Sequence, residues 1–224
     1  MTRKTIIITG CDAKYFSYME ATLKSLAALH IDHRADIGIL DLGLTPEQLQ
    51  TLQTMGCIIR QPEWTLPVPV ELRIKHELGL VARTALRDYF PGYRVYLWFD
   101  ADAWAQTPVF FDAFVAGAEA KGAAIVREDG AGYRRNYIYN RWWYGHMITS
   151  YGLIDGIKVA FKPAINIGIL ALSDTAPHWE AWRRDYEKMI VIRQKTNLDQ
   201  HAFNAALELD HLPHAHLSAR CNWI

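Results

Sequence analysis

Short apolar runs alternate along this chain with segments whose apolar residues recur at helical spacing. The run TIIITG at 5–10 is β-branched and closes on glycine, which predicts a buried strand. Apolar residues three and four positions apart predict a helix over 15–29. The runs DIGILDL at 36–42 and CIIR at 57–60 predict two further strands, with a helix over 45–55 between them.

The helix over 45–55 carries clear end signals. Thr45 suits the N-cap, Pro46 the first helical position and Gly56 the stop. Strand, helix, strand, helix and strand at such short spacing predict right-handed crossovers and a parallel sheet of Rossmann-like topology.

The rest of the chain continues the alternation. A helix is predicted over 74–89, and the nearly continuous apolar run RVYLWF at 94–99 predicts a central strand covered on both faces. The remaining predicted elements are a helix over 109–120, a strand over 123–128, a strand over 164–173, and helices over 177–193 and 198–209. No internal repeat or low-complexity linker interrupts them, so we expect one α/β domain over 1–224.

Composition narrows the class of protein. Half of the residues are hydrophobic, which permits a sizeable core, and the formal net charge is zero, so nothing predicts nucleic-acid binding. Three widely spaced cysteines without a CxxC pair predict neither a zinc site nor a disulfide framework, and they favour a cytoplasmic setting. No apolar run suits a signal peptide or a membrane span, so we expect a soluble protein with at most peripheral membrane contact.

Two carboxylates, Asp100 and Asp102, follow the most apolar strand. They converge on one side if the strand continues through Ala101, and they line the mouth of a crevice if the chain turns there. Open α/β sheets bind ligands at the carboxyl ends of their strands. Like charges this close favour a bound cation, and oxygen ligands suit Mg²⁺ or Mn²⁺. The small Ala101 leaves room for a bulky ligand.

Two other interpretations of this pair were weighed. The aspartates can cap the following helix near Thr107 and Pro108, or simply face solvent. Asp-x-Asp also opens the active site of haloacid-dehalogenase-type phosphatases, in which the first aspartate is the nucleophile. That motif usually follows the first strand, and here Trp104 occupies the position of its Thr or Val. The phosphatase interpretation is therefore disfavoured.

The order of motifs resembles the retaining glycosyltransferases of family eight over nearly the whole chain. The matching segments are TGCDAKYF at 9–16, VARTALRDYFP at 81–91, Asp-x-Asp at 100–102, NIG at 166–168 and DQHAFN at 199–204. The resemblance implies a GT-A (Rossmann-like) domain with a mixed, mostly parallel central sheet flanked by helices. It also implies transfer of a hexose from a nucleotide-sugar donor, UDP-hexose above all, to a carbohydrate or glycoconjugate acceptor, with Mn²⁺ or Mg²⁺ as cofactor.

The resemblance assigns the nucleotide to the first half of the chain, residues 1–102. It implies donor contacts from Thr9, Asp12 and Tyr15, with Asp12 accepting from the base N–H and Tyr15 stacking on the base. The alternative for Asp12 is an N-cap of the following helix. Arg83 would neutralise the diphosphate or hold an acidic side chain of the site, although an arginine on a helix is more often solvated.

The resemblance assigns the sugars to residues 103–224. Asn166 interrupts an apolar strand, and Gly168 suggests the close approach of a ligand or another backbone. Asn166, Asp199 and Gln200 would contact the donor sugar and the reaction centre, and Asp100 and Asp102 would hold the metal. A structural hydrogen bond for Asn166 and helix capping for Asp199 and Gln200 are the alternatives, and Asn204 is expected to be structural.

The family pattern offers no undisputed enzymatic nucleophile. By resemblance we expect attack from the front side of the donor sugar, with the donor's own phosphate oxygen taking the acceptor proton.

A dense aromatic block forms another candidate site. Aromatic faces stack on sugar rings, so the block suits an acceptor wall or lid, but it also suits the core of a helical appendage, an oligomer contact or a membrane-surface patch. Its members are Tyr137, Tyr139, Trp142, Trp143 and Tyr144.

One part of the family pattern is missing. Family members commonly supply a third metal ligand from a histidine in an HxxGxxKPW segment, and the sequence ends at CNWI without one. His214 and His216, predicted to lie on a strand, or water would have to complete the metal site. A non-catalytic module that binds sugar nucleotides is therefore the alternative to an enzyme.

Overall fold

One seven-stranded sheet runs through the protein in the order β3-β2-β1-β4-β6-β5-β7. The structure is a computed structural model, and it describes residues 4–128 and 137–221, without the side chains of 137–140. The strands are β1 (Thr5–Cys11), β2 (Asp36–Asp41), β3 (Ile58–Arg60), β4 (Val95–Phe99), β5 (Ala123–Arg127), β6 (Ile165–Ser173) and β7 (Ala215–Leu217).

Helices cover both faces of the sheet, as the fold class predicted from the sequence requires. They are α1 (Phe16–Ala28), α2 (Pro46–Thr54), α3 (Leu78–Ala82), α4 (Leu86–Tyr89), α5 (Val109–Lys121), α6 (Tyr137–Ala160), α7 (His178–Arg193) and α8 (Asp199–Leu209). Non-helical backbone at Gly152 divides α6 into two helical pieces. In the described part of the chain, no helix is long and apolar enough to cross a membrane.

The sheet is mixed and mostly parallel. β1, β2, β3 and β4 pair in parallel, and β7 runs parallel to β5. β6 lies between β4 and β5 and runs antiparallel to both. The start of β6 therefore meets the carboxyl ends of β4 and β5 at one edge of the sheet.

Alternate residues of each strand enter two separate cores, because successive side chains of a strand point to opposite faces. Ile6 and Ile8 of β1 pack with the tryptophans of α7, whereas Ile7 joins the layer formed by α1 and α5. All five residues of β4 are buried, as predicted for a central strand covered on both faces.

The capping prediction for α2 is confirmed in detail. Thr45 Oγ1 accepts a hydrogen bond from the backbone N–H of Gln48, and the side chain of Gln48 accepts one from the backbone N–H of Thr45. This is a capping box, and Pro46 occupies the first helical position.

The single helix predicted over 74–89 is wrong. Two short helices, α3 and α4, flank a 3₁₀ turn over 83–85. Arg83 and Thr84 are buried there, and the Thr84 hydroxyl donates to the Val81 carbonyl 2.9 Å away. Local side-chain bonds of this kind compete with regular helix, and the turn directs Arg83 into the interior.

Candidate functional site

The chain turns directly after β4, at the Asp-x-Asp pair. The backbone N–H of Ala103 donates to the Asp100 carbonyl at 3.0 Å, so the strand does not continue through Ala101. Of the two arrangements that the sequence allowed, the aspartates therefore adopt the one in which they line the mouth of a crevice. Asp102 is exposed and its side chain accepts no hydrogen bond within the described residues.

The carboxyl group of Asp100 lies in a mixed electrostatic environment. Burial raises its pKa to about 6, and the charges of Asp102 and Asp199 act in the same direction. The nearby Arg83 guanidinium and a 2.6 Å hydrogen bond from Trp98 Nε1 to Asp100 Oδ1 oppose that rise. The side chain retains 40% of its surface, which faces the crevice.

Arg83 joins two elements of the site. Its Nη2 lies 2.6 Å from Asp199 Oδ2, and its Nη1 lies 3.7 Å from Asp100 Oδ1. Nη1 also donates to the Ile167 carbonyl at 3.2 Å, and the guanidinium stacks over the Trp98 ring at 5.1 Å. Arg83 is buried, so of the two roles considered for it, its geometry fits holding acidic side chains.

Asp199 is the first residue of α8 and is buried. Burial raises the pKa of its carboxyl group, and the Arg83 guanidinium opposes that rise. Asp100 and Asp199 both lie within 4 Å of the Arg83 guanidinium, and Asp102 adds a third carboxylate to the cleft. The carboxylates outnumber the single buried cation, so a further positive charge would be stabilised in the site.

Gly168 allows the Asp100 carboxylate to approach β6. The Gly168 carbonyl accepts from the Asp100 backbone N–H at 2.8 Å. A Cβ on Gly168 would lie 2.9 Å from Asp100 Oδ2 and 3.0 Å from Asn166 Oδ1. The close approach predicted at this glycine is therefore that of the site's own side chains.

Glu128 is a site residue that the sequence reasoning missed. Its Oε1 accepts from Asn166 Nδ2 at 3.1 Å and from Gln200 Nε2 at 3.3 Å. Asn166 Oδ1 accepts in turn from the Gly168 backbone N–H at 2.8 Å. Glu128 directly follows the apolar strand β5, as Asp100 follows β4, and this repeated pattern of a carboxylate after a buried strand was the available signal.

Asn204 is structural, as expected. Its Oδ1 accepts from the Ile165 backbone N–H at 2.7 Å, and its Nδ2 donates to the carbonyls of Ile165 and Gln200. These bonds fix the first turn of α8 against the start of β6. Asp199 and Gln200 are thereby held beside Asn166.

A cleft of about 1040 Å³ collects most of the predicted residues at this edge of the sheet. Those that line it are Arg83, Asp100, Asp102, Asn166, Gly168, Asp199 and Gln200. Trp104, Arg220 and Cys221, which had no predicted role in the site, also line it. Four predicted residues do not: Thr9, Asp12, Tyr15 and Ala101.

The residues predicted at the exit of β1 do not line the cleft. Asp12 Oδ1 accepts from the backbone N–H groups of Lys14 and Tyr15, at 3.0 and 3.1 Å, so this oxygen caps the turn before α1. Tyr15 is exposed, and its ring lies 5.5 Å from that of Tyr18. Thr9 is buried in β1, and its hydroxyl has no hydrogen-bond partner within the described residues.

Two hydroxyl side chains of α1 hold the turn that carries the aspartates. Thr22 Oγ1 lies 2.7 Å from both the Ala101 and the Ala103 carbonyl oxygens. Ser25 Oγ accepts from the Ala105 backbone N–H at 3.0 Å. Both side chains are buried. Because buried hydroxyl groups need hydrogen-bond partners, these two residues on the buried face of α1 were a sequence signal for a polar partner.

Neither histidine considered as a third metal ligand lines the cleft. His216 lies in β7 in register with Ile125. His214 precedes β7, and its Nδ1 is 2.9 Å from the Leu212 carbonyl oxygen. Burial lowers the pKa of His178 to about 4, and the nearby His214 acts in the same direction. Because β7 runs parallel to β5, its start is at the sheet edge opposite the cleft. Within residues 4–128 and 137–221, no group of three His, Cys, Asp or Glu side chains is arranged to hold a metal.

The aromatic block divides between core and surface. Trp143 is fully buried against α8, and its ring lies 4.6 Å from that of His201. Trp142 is partly exposed, and Tyr144 stacks on Phe161. The side chains of Tyr137 and Tyr139 lie outside the described residues. The core interpretation therefore holds for Trp143.

Comparisons with solved structures match this architecture. The galactosyltransferase LgtC, in complex with donor and acceptor sugar analogues, aligns with a TM-score of 0.59 and 16% identity, over 96% of this chain and 74% of that one. The bifunctional glycosyltransferase WbbM aligns with a TM-score of 0.58 and 12% identity, over 92% of this chain and 38% of that one.

A third match is a candidate nucleotide-diphospho-sugar transferase from Desulfovibrio desulfuricans G20. It has a TM-score of 0.54 and 10% identity, over 96% of this chain and 80% of that one. No family profile and no curated protein sequence matches the chain. At these identities the likeness concerns the fold, which is the α/β fold of the GT-A glycosyltransferases.

Proposed function

We propose that this protein is a retaining glycosyltransferase, related to family eight, that moves a hexose from a UDP-sugar to a carbohydrate or glycoconjugate acceptor. One observation carries the proposal. The turn after β4 brings Asp100 and Asp102 into the same cleft as Asn166 of β6 and Asp199 and Gln200 of α8, on a fold shared with sugar transferases. The three free cysteines agree with a cytoplasmic location.

The donor set at the turn fits a divalent cation. Asp100 Oδ1 accepts the hydrogen bond from Trp98 Nε1 and pairs with the Arg83 guanidinium. Oδ2 lies over Gly168 and accepts no hydrogen bond within the described residues. Asp102 adds a second, exposed carboxylate at the same mouth. Hard oxygen donors with open positions for water and phosphate suit Mn²⁺ or Mg²⁺. Bound there, such an ion would neutralise charge on the departing nucleoside diphosphate.

Arg83 acts as a positioning residue in this proposal. Because it contacts both Asp100 and Asp199 from a buried location, it fixes the separation between the turn after β4 and the start of α8. That separation sets the distance between the diphosphate side and the sugar side of the cleft. The direct diphosphate contact considered for Arg83 is not part of the proposal.

The sugar side consists of amides and carboxylates. Asn166 and Gln200 are both oriented by Glu128, and Asp199 lies next to Gln200. Hydroxyl groups of a hexose pair well with such donors and acceptors, because buried polar groups require partners. We assign the donor sugar and the reaction centre to Asn166, Asp199 and Gln200, with Glu128 as a further contact.

The nucleoside side lies in residues 1–102, at the exits of β1 and β4. The exposed Tyr15 ring offers a face for the base, and Asp12 Oδ2 remains for a base N–H while Oδ1 caps the turn. Thr9 and Ala101 border the same exits. Gly168, which comes from residues 103–224, leaves the space that the Asp100 carboxylate occupies, and the diphosphate would lie over the turn that carries this carboxylate.

The transfer itself is proposed to occur on one face of the donor sugar. The acceptor hydroxyl oxygen bonds to the anomeric carbon as the bond from that carbon to the diphosphate oxygen breaks. The acceptor proton passes to a phosphate oxygen of the leaving UDP. Asp199 and Gln200 hold the sugar during the exchange, and the configuration at the anomeric carbon is retained.

Donor binding and donor hydrolysis test the proposal. A panel of UDP-sugars with Mn²⁺ should raise the melting temperature, since ligands that bind the folded state stabilise it. Slow release of UDP should accompany binding. Asp102→Asn should abolish the metal-dependent rise, whereas Asp88→Asn, an exposed carboxylate on α4, should leave it intact.

Each other result has a distinct meaning. A rise in melting temperature without transfer or hydrolysis would favour the non-catalytic binding module. Release of phosphate from small phosphoesters, abolished by Asp100→Asn, would favour the phosphatase. The absence of any response to UDP-sugars, with or without metal, would refute the proposal.

A further inference from the structure

One wall of the cleft has no part in the contacts assigned to the donor. Trp104, Gln106 and Thr107 lie in the loop between β4 and α5, and Arg220 follows β7. We term these four residues the outer wall. Trp104 keeps 62% of its surface exposed, and the other three are exposed as well. Ligand sites typically combine an aromatic surface with a few polar groups in this way.

The order of strands places the outer wall beyond the donor sugar. From β1 the sheet continues through β4, β6 and β5 to β7. The proposed donor has its base at the exit of β1, its diphosphate over the turn after β4 and its sugar at the start of β6. β7 is three strands from β4, about 14 Å at roughly 4.8 Å per strand. The loop over 104–108 leads to α5, which packs on β5, β6 and β7, so it borders the same end of the cleft. An acceptor that does not overlap the nucleotide would have to bind at this end.

The backbone of the outer wall is anchored on both sides of the cleft. Ala105 is buried, and its N–H donates to Ser25 Oγ at 3.0 Å. Ala219 and Cys221, which flank Arg220, pack against the core layer formed by α1 and α5. The exposed side chains of Trp104 and Arg220 are therefore held at the cleft by buried neighbours.

Arg220 gives the outer wall its charge. The other arginine that lines the cleft, Arg83, is buried and pairs with Asp100 and Asp199. Within residues 4–128 and 137–221, the guanidinium of Arg220 forms no ion pair or hydrogen bond, and only its backbone N–H donates, to Ser218 Oγ. A guanidinium has five donors in a planar fork that matches phosphate and carboxylate groups. The outer wall therefore offers an aromatic face together with an anion-binding group.

We propose that the outer wall binds the acceptor, and that the acceptor is a saccharide that carries a phosphate or carboxylate group. The indole of Trp104 packs on the apolar face of the acceptor sugar, and Gln106 and Thr107 bond its hydroxyl groups. Arg220 pairs with the anionic group. This inference rests on the proposed function, because it takes the exits of β1 and β4 and the start of β6 as occupied by the donor.

Calorimetric titration of sugar probes into the full-length protein, with UDP and Mn²⁺ present, tests the inference. The probes are the 6-phosphates of glucose, galactose and mannose, the corresponding uronic acids and the three free hexoses. At least one charged probe should bind tenfold or more tightly than its neutral hexose, and the two charged series show which anion is preferred. Arg220→Gln should remove this difference without changing the affinity for UDP. Trp104→Ala should weaken every probe that binds at least fivefold, and Trp104→Phe should retain most of the binding.

Arg94→Gln is the matched control, because Arg94 is exposed and precedes β4, at the opposite end of the strand from the cleft. It should bind UDP and the probes as the unchanged protein does. Equal binding of charged and neutral probes, while UDP still binds, would overturn this inference and leave the proposed function intact. A loss of UDP affinity in Arg220→Gln would also overturn it, since Arg220 would then contact the nucleotide. A protein that binds no UDP with or without Mn²⁺ would refute the proposed function and this inference together.

Discussion

Replacing Thr22 with valine should detach the turn that carries Asp102 from α1. The hydroxyl of Thr22 lies 2.7 Å from the carbonyl oxygens of Ala101 and Ala103, and it is buried. A hydroxyl has one hydrogen to donate, so at any moment it bonds one of the two carbonyls. Valine preserves the shape of threonine and removes only this bond.

The magnitude follows from the bond and its surroundings. Losing one such hydrogen bond costs about 1 kcal/mol, and leaving a carbonyl without a partner increases the cost to about 1–2 kcal/mol. For a domain of this size, that loss lowers the melting temperature by about 2–8 °C. The same energy, if it holds the turn in one conformation, lowers the ratio of the conformation competent to bind a metal and a nucleotide to the other conformations by about tenfold, and it lowers the affinity by up to that factor.

The assay is UDP binding in the presence of Mn²⁺, measured by calorimetry well below the melting temperature. Thr22→Val should weaken binding by up to about tenfold, and Thr22→Ser, which keeps the hydroxyl, should restore most of the affinity. Thr51→Val is the matched control, because the Thr51 hydroxyl donates to the Glu47 carbonyl within α2, on the surface. Unchanged affinity in Thr22→Val, with a lowered melting temperature, would refute a positioning role and leave a purely structural one.

Three further predictions follow from the site and its support. Gly168→Ala should weaken Mn²⁺ binding at least tenfold by calorimetry, because the added Cβ would lie 2.9 Å from Asp100 Oδ2; unchanged affinity would contradict this close approach. Arg83→Met should lower the free energy of unfolding in urea by about 3–5 kcal/mol, since it leaves Asp199 charged and buried, and adding Asp199→Leu should recover most of the loss. Burial lowers the pKa of His201 to about 3, so the unfolded state binds a proton first as pH falls below about 6.5. Stability should therefore decline from pH 6.5 towards pH 3, by up to about 1.4 kcal/mol per unit from this residue, and urea titrations of His201→Gln should give a shallower slope.

The sheet and the edge at which the cleft lies could be predicted because their determinants are local. The run VYLWF is apolar at every position, and such a run suits only a strand covered on both sides. Thr45, Pro46 and Gly56 specify the ends of α2 by residue types whose backbone preferences are strong. The carboxylates after β4 needed only the rule that ligands bind at the carboxyl ends of strands.

The details of the site depend on contacts between distant segments, and these could not be predicted. The sequence places Glu128 after a buried strand, but only the pairing of β5 with β6 shows that its side chain reaches Asn166. Arg83 was placed on a regular helix, whereas its pairing with Asp199, 116 positions later, favours a turn with a buried side chain. The hydrogen-bond partner of Thr22 likewise cannot be inferred from the neighbouring sequence, because the bond spans 79 positions.

The position of β6 also constrains the order in which the protein can be assembled. β6 inserts between β4 and β5, although both precede it in the chain. During synthesis, β4 therefore emerges with one edge unpaired and β5 with both edges unpaired, and such rows of free backbone N–H and C=O groups are prone to pairing with other chains. The missing strand and α8 come from residues 165–209, which are synthesised after β4 and β5. Binding of the proposed donor would thus report that residues 165–209 have joined the sheet, and chains truncated before residue 165 should accumulate as aggregates rather than as forms that bind the donor weakly.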